Sequence, residues 1–458
     1  MSEPLDTSKT VAAPPSMFAG CSAGALMIVE TLQGAGFTAY LAGGCVRDLL
    51  MGRTPKDFDI CTNALPPDVQ RLFNRSIAVG KAFGVVLVTV GGEQFDVATF
   101  RIDSNYKDGR RPVAVTFADA RNDALRRDLT INALFYDPRS GMIIDYVDGL
   151  RDLDSRVVRT VGKAADRFAE DHLRLMRAVR FSTSLDFALD PDTERAIIAN
   201  AAHLIRISQD RIRDEFILTL TGTSRPGDAI VMLDNLQLLN VFLPEITALK
   251  AQEQPADFHP EGNVFRHTVK MLNLLDHPDA RLALAVLFHD IGKPLVAKTI
   301  DGRIRFHYHA ERGAELAATV CRRLRMSTAD SDLICHIVRN HSRMTDAREM
   351  KRSTLRRLIG TPAFELELEL HRLDRLASTG DLSTHEYLLA TMAELRAEPV
   401  LPTAWITGHD IIALGITEGP RVGFWRNRAY DYQLEGRFSD RESLLRWLEL
   451  EVTRDQQS

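Results

Sequence analysis

The hydrophobic pattern changes character once along the chain, near residue 150. Before that point, short β-branched runs such as FGVVLVTV (83–90) and FDVATF (95–100) alternate with helical stretches. That mixture predicts a sheet packed on helices, since strand and helix periodicities each bury one face. From ADRFAEDHLRLMRAVRFSTSL onward nearly every segment has helical spacing, punctuated by turn-forming residues at LDPDT (189–193), SRPGD (224–228), QEQPADFHPEG (252–262) and RAEPVLPTAW (396–405). The coarse expectation is an α/β head followed by a long helical body. With 458 residues, 45% hydrophobic and 26% charged, the chain suffices for roughly two to four domains.

Composition excludes some classes. No run of eighteen or more apolar residues occurs, and MSEPLDTSKTVAAPPS has no basic segment followed by an apolar one, so neither a membrane span nor a secretory signal is expected and a cytoplasmic location is. Cys21, Cys45, Cys61, Cys321 and Cys335 form no C-x-x-C pair; small buried hydrophobes in a reduced compartment are expected. The net charge of −5 hides local basic blocks. One is RIDSNYKDGRRP (101–112); another carries Arg156, Arg159, Lys163, Arg167, Arg174, Arg177 and Arg180. The basic residues of TDAREMKRSTLRRL, from Thr345, are expected on a solvated helix face.

Within the head, FTAYLAGG reads as a strand ending at Gly43 and Gly44, and CVRDLLMG as the helix that starts there. Glycines at such a junction allow close backbone approach, and the free N–H groups of the helix start favour phosphate. Arg47, in the first turn, adds a charge-assisted donor. If KDFDI is a strand, Asp57 and Asp59 share one face. Adjacent carboxylates repel unless a cation lies between them, and Mg²⁺, which takes phosphate oxygens as further ligands, meets that need. Asp96, in QFDVATF, is a candidate third carboxylate. The three together predict metal-assisted phosphoryl or nucleotidyl transfer.

LAGGCVRDLLMGRTPKDFDI, RRDLTINAL (126–134), DYVDGLRDL (145–153), EDHLRLMRAVRF (170–181) and SQDRIRDEF (208–216) occur in this order, and in this the chain resembles class II tRNA nucleotidyltransferases and bacterial poly(A) polymerases. The resemblance implies an α+β fold: a polymerase-β-type nucleotidyltransferase head followed by a mostly helical neck, body and tail. It implies template-independent addition of C, C and A to the 3′ end of tRNA from CTP and ATP with Mg²⁺. Asp57 and Asp59 match the metal ligands, Gly43, Gly44 and Arg47 the triphosphate contacts, and Arg127, with Asp128 and Asn132, a nucleotide and ribose site. Asp171, Arg174, Arg177 and Arg180 recur every three residues as a polar stripe expected on one helix; the resemblance assigns Asp171 and Arg174 to the base edge. Asp210 stands where the family usually has glutamate, in a motif expected to be structural.

The second half places His267 in NVFRHTVKMLNLL, His289 and Asp290 in VLFHDIGKP, His307 and His309 in RFHYHAERGAELA, His341 in VRNH and Asp374 in HRLDRLAS. Over roughly 260–380 this resembles HD-domain phosphohydrolases, which implies a second divalent metal on His267, His289, Asp290 and Asp374. His409 and Asp410 are expected to cap a helix instead. The expected division is a flexible 1–20, a head over 21–155, a helical neck over 156–255, an HD-type domain over 256–395 and a helical tail over 396–458. Two other functions share these motifs: poly(A) synthesis, which the short C-terminal EVTRDQQS disfavours, and metal-dependent hydrolysis of nucleotides or RNA ends. No membrane partner is expected, and the oligomeric state is left open.

Overall fold

In the computed structural model the described residues are 9–79, 84–107, 111–255, 257, 260, 262–276, 278–395 and 399–457. They divide into two compact units. The first comprises Met1–Thr247 with Asp276–Pro278 and Arg323–Met326, the second Ala248–Leu275, Asp279–Arg322 and Ser327–Ser458.

The first unit opens with β1 (Lys9–Ala12), α1 (Pro15–Ala19), α2 (Ala23–Gly34), β2 (Ala39–Ala42), α3 (Gly44–Leu50) and β3 (Asp59–Thr62). It continues with α4 (Pro66–Leu72), β4 (Ser76–Val79), β5 (Val85–Val90), β6 (Glu93–Thr99), β7 (Arg101–Lys107), β8 (Arg111–Phe117) and α5 (Ala120–Leu125). Next come β9 (Leu134–Asp137), β10 (Met142–Asp145) and α6 (Gly149–Asp154). Eight strands form one sheet in the order β1-β10-β9-β2-β3-β6-β5-β4, and β7 and β8 form a separate antiparallel ribbon. The basic block expected over 101–112 falls on that ribbon, with 108–110 outside the described residues.

Strand alternation explains why this sheet is covered on both faces. Leu41, Ile60, Val86 and Val97 join one core with Ala25, Ile28, Val29 and Leu32 of α2. Ala42, Cys61, Phe100 and Phe135 join a second core on the other side. The α2 residues recur at i, i+3, i+4 and i+7, the stripe an amphipathic helix turns to a sheet; burying each of Ile28, Val29 and Leu32 contributes about 1.5–3 kcal/mol.

Two expectations change here. Part of the segment expected to be flexible is placed against the fold: β1 pairs with β10 from Lys9↔Asp145 to Ala12↔Met142, and Met17 of α1 is buried in the core. Residues 1–8 lie outside the described set. The strand in KDFDI starts only at Asp59, whose partner is Ala42. Beyond Ala42 the backbone turns away at Gly43, with φ +76°, leaving Asp57 no strand to pair with.

A helical segment completes the unit: α7 (Ala164–Glu170), α8 (Arg174–Leu185), α9 (Pro191–Asn200), α10 (Gln209–Thr221) and α11 (Pro226–Asn235). α8 packs on α10 and α11; Leu175, Met176 and Val179 are buried on α8, and Ile212, Phe216 and Leu220 on α10.

The second unit is mainly helical. Ala280–Phe288 is buried from Leu282 to Phe288, as a helix enclosed on all sides must be; Val264–Asn273, Thr328–Asn340 and Phe364–Ala377 surround it. At the C-terminal end, Trp425, Leu444 and Leu448 share a core. Asp410 completes a capping box with Thr407 at the start of Gly408–Ala413, in line with the capping role expected there. Arg356 departs from the solvated face expected for its segment: it is buried and donates to the carbonyls of Pro399 and Val400. Three of the five cysteines are buried, whereas Cys21 and Cys335 are only partly so. Among the described residues no helix is long and apolar enough to cross a membrane.

Candidate active site and metal centre

Every site residue expected in the head lines one cleft of about 1130 Å³ in the first unit. β3 and β6 run parallel, with Ile60 opposite Val97; one step earlier, Asp59 starts β3 beside Asp96 in the middle of β6, and Asp57 lies two residues before Asp59. The Asp59 carboxylate is open to the cleft, but the surrounding protein still raises its pKa. Arg127 opposes that effect, while Asp96 and Asp57 reinforce it. Three carboxylates whose charges disfavour one another fit a hard divalent cation.

The other wall is built from arginines that are already held. Gly43 is tight: a Cβ there would lie 2.7 Å from Arg127 Nη1. Arg127 donates to the Asn132 carbonyl at 2.9 Å and to Asp123 at 3.1 Å. Arg47 is buried, donates to Asp48 at 2.7 Å and to the Asn132 side chain, and stacks over Phe181. Arg177 Nε donates to Asp128 Oδ2 at 2.6 Å. Burial disfavours the Asp128 charge, but Arg177 and Arg174 outweigh it and hold its carboxyl below the usual range. Asp128 in turn raises the Arg177 pKa.

The polar stripe is split by the fold. α8 begins at Arg174, and Asp171 lies in the preceding turn, accepting the Leu173 N–H at 3.0 Å. Its carboxylate pairs with Arg211 of α10 at 2.7 Å, while Arg174 pairs with Glu170. Both side chains nevertheless face the cleft. Sequence reasoning missed Arg211, Glu215 and Phe181. Glu215 is buried and lies 2.9 Å from Arg180 and 3.5 Å from Arg177. The signal was the four-residue spacing of Arg211 and Glu215 within SQDRIRDEF, which puts both on one helix face.

In the second unit, His267, His289 and Asp374 come together, whereas Asp290 joins His309 and His341. Of the four ligands expected to share one ion, three therefore form one group, and Asp290 is grouped with two further histidines while its Oδ2 stays close to His289. Successive residues at a helix end diverge by about 100°, so His289 and Asp290 face neighbouring positions. His267 Nε2 lies 3.1 Å from Asp374 Oδ1, and His289 Nε2 lies 3.0 Å from Asp290 Oδ2. Asp290 Oδ1 is 3.5 Å from His309 Nε2 and 3.8 Å from His341 Nε2. His307 is exposed and outside both groups.

Comparison with known proteins agrees with this geometry. Residues 39–159 match the Poly A polymerase head domain, 186–250 the probable RNA and SrmB-binding site of polymerase A, and 263–379 the HD domain. The CCA-adding enzyme of Lactobacillus delbrueckii subsp. bulgaricus is 50% identical over 199 residues, 43% of this chain and 50% of that protein. That of Geobacillus stearothermophilus is 44% identical over 229 residues, 50% of this chain and 56% of that protein. The chain thus spans about half the length of the curated relatives it matches. The crystal structure of the Bacillus stearothermophilus CCA-adding enzyme in complex with CTP superposes with a TM-score of 0.72 at 30% identity, covering 95% of this chain and 98% of that one. A Thermotoga maritima CCA-adding enzyme shares the fold at 20% identity, with a TM-score of 0.63 over 97% and 99% of the two chains. The head and HD families both imply dependence on divalent metal. With three family domains in order and near-complete overlap with a solved relative, the chain belongs to the class II CCA-adding enzymes.

Proposed function

We propose that the protein adds C, C and A to the 3′ end of tRNA from CTP and ATP, releasing pyrophosphate. The observation that carries this reading is the meeting, in one cleft, of the Asp57, Asp59 and Asp96 carboxylates with the half-buried arginines of α8. Mg²⁺ held by Asp57 and Asp59 would activate the tRNA 3′-hydroxyl and neutralise charge on the leaving pyrophosphate. The rest of the work is positioning by this chain's own residues. Gly43 and Gly44 let the triphosphate approach the start of α3. Arg47 and Arg127 lend positive charge beside it, and Asp128 and Asn132 lie where the ribose binds.

Base selection would fall to Asp171 and Arg174. An arginine offers only donors and a carboxylate only acceptors, so the pair reads the edge of C or A and rejects G or U. Each is held by a neighbour outside the pair, Arg211 for Asp171 and Glu170 for Arg174, which fixes a hydrogen-bond pattern without a nucleic-acid template. The solved relative at 30% identity is a complex with CTP, which supports nucleotide binding in the same cleft. Backbone and shape contacts would hold tRNA, so binding weakens with salt.

The test is incubation with Mg²⁺ and tRNA lacking its 3′ CCA, with CTP, ATP or both. Two additions with CTP and a third only when ATP is also present are expected. A long ladder with ATP alone would instead make the protein a poly(A) polymerase. Hydrolysis of nucleotides or RNA ends at the HD cluster is a separate activity that the paired imidazole groups favour. Phosphate release lost in His289→Ala and kept in Asp57→Ala would establish it.

A further inference from the structure

Three arginines of the head cleft meet on one aromatic ring. Phe181 of α8 comes seven residues after Arg174 and four after Arg177, so helical spacing sets it on their face of the helix. Leu175, Met176 and Val179 of the same helix are buried, whereas Phe181 lines the cleft. The guanidinium carbons of Arg180, Arg47 and Arg177 lie 4.4, 5.0 and 5.5 Å from the centroid of its ring. Arg47 belongs to α3, so the ring ties the helix that starts at the glycine turn to α8.

Like charges gathered on one ring repel. Burial lowers the Arg180 pKa, and although Glu215 opposes this, Arg177 and Arg47 add to it. The edges of the three guanidinium groups are held by polar side chains: Arg47 by Asp48 and Asn132, Arg177 by Asp128, and Arg180 by Glu215. A guanidinium donates from its edge and leaves its flat face free to stack. The electron-rich face of an aromatic ring attracts cations, more strongly where water is scarce. An aliphatic side chain of similar size would fill the same space without that attraction. The ring therefore offsets the repulsion among the arginines before an anion does so.

We propose that Phe181 is a positioning residue of the nucleotide site, whose ring holds Arg47, Arg177 and Arg180 together ready for the triphosphate. It acts through the arginines rather than on a reacting atom. Cations already gathered need not be ordered when the polyanion binds, and that saving appears as affinity. The inference rests on the function proposed above and deepens it, because it concerns the polyphosphate that CTP and ATP share. Base selection stays with Asp171 and Arg174.

The experiment installs phenylalanine analogues with one, two or three ring fluorines at position 181 of the full-length protein. Fluorine draws electron density from the ring face and leaves its shape nearly unchanged. Rates are read with Mg²⁺ and tRNA lacking its 3′ CCA for CTP, or lacking only the final A for ATP. KM for both nucleotides should rise by the same factor with each added fluorine, to about 10-fold with three, while kcat falls by less. Phe181→Tyr, which keeps an electron-rich face, should stay within about twofold of the starting KM, and Phe181→Leu should match the trifluorinated form. A KM constant across the fluorine series, or a rise for one nucleotide only, overturns the inference. Should Phe181→Leu fail to fold by circular dichroism, the fluorine series decides alone, since its members keep the same packing. The unmodified protein separates the two claims. If it adds no nucleotide, the proposed function falls, and the affinity for inorganic tripolyphosphate, read by calorimetry, decides the role of Phe181: it should weaken in the same steps, and constancy overturns it.

Discussion

The head cleft and the HD cluster answer the same problem, gathering negative charge around a cation, with opposite materials. The head uses carboxylates only, around the start of β3 and the neighbouring middle of β6, where solvent reaches all three. The HD cluster uses four imidazoles and two carboxylates, mostly buried, with three rings held by backbone carbonyls. Hard oxygen ligands on an accessible edge suit an ion that arrives with a triphosphate and leaves with pyrophosphate. A buried, tautomer-locked imidazole set suits an ion that stays.

The largest expected effect tests the first half of that contrast. Asp57→Ala or Asp59→Ala should lower the rate of nucleotide addition by at least about 1000-fold, because the transition-state charge loses its counter-ion. Filter binding of tRNA and the metal content of the second unit should stay at their starting values. Addition at near-normal rate in either variant would end the assignment of the head.

Next in size is the layer behind the arginines. Glu215→Gln removes the charge that steadies Arg177 and Arg180. Replacing a charged hydrogen-bond acceptor with a neutral one costs about 1.5–3 kcal/mol, or roughly 10- to 150-fold in kcat/KM. Discrimination between CTP and UTP should fall with it, read from single-nucleotide incorporation. A rate unchanged to within a factor of two would show that the α8 arginines hold their places without Glu215.

These two sites were not equally legible in the sequence. In the head, a glycine turn and a D-x-D lie within twenty residues, and strand periodicity placed Asp59 correctly because β2 and β3 are neighbours in both chain and sheet. Asp57 went wrong because the pattern carries no record of where β2 runs out. The Asp171–Arg180 stripe had the right residues and the wrong helix start, since an Asp side chain capping the Leu173 N–H competes with helical hydrogen bonding. In the HD region the ligand types were plain, but their division into two triads was not. It depends on the directions of adjacent side chains at a helix end and on His309 and His341, brought close from 32 residues apart. Residues 1–20 were expected to be flexible, whereas 9–12 pair as an edge strand and Met17 is buried.

A smaller effect tests residence of the ions. Dialysis against a transition-metal chelator should lower the unfolding midpoint by several degrees, since an ion held at 100 times its Kd contributes about 2.7 kcal/mol. Mn²⁺ or Ni²⁺ should restore it, and Mg²⁺ at equal concentration should not. A midpoint indifferent to chelation would place the HD ions with the exchangeable kind.

The smallest effect separates histidines that gather a metal from histidines that are merely buried. His172 and His203, in the first unit, have ring centroids 5.0 Å apart, the same separation as His309 and His341. Their Nδ1 atoms are buried and make no hydrogen bond, unlike those of His289, His309 and His341. The nearest carboxylate in sequence, Asp171, is taken by Arg211. Burial lowers the His172 pKa below 6.5, only partly opposed by a backbone contact with Phe168. The unfolded chain therefore binds a proton there that the folded chain refuses, and stability is fully present above pH 6.5 and declines as the pH falls through that value. His172→Phe should flatten the decline between pH 6.5 and 5 (urea midpoints read about a few tenths of a molar) and leave the metal count untouched. A steeper slope in the variant, or a lost ion, would mean that ring separation alone tells the two pairs apart no better than sequence did.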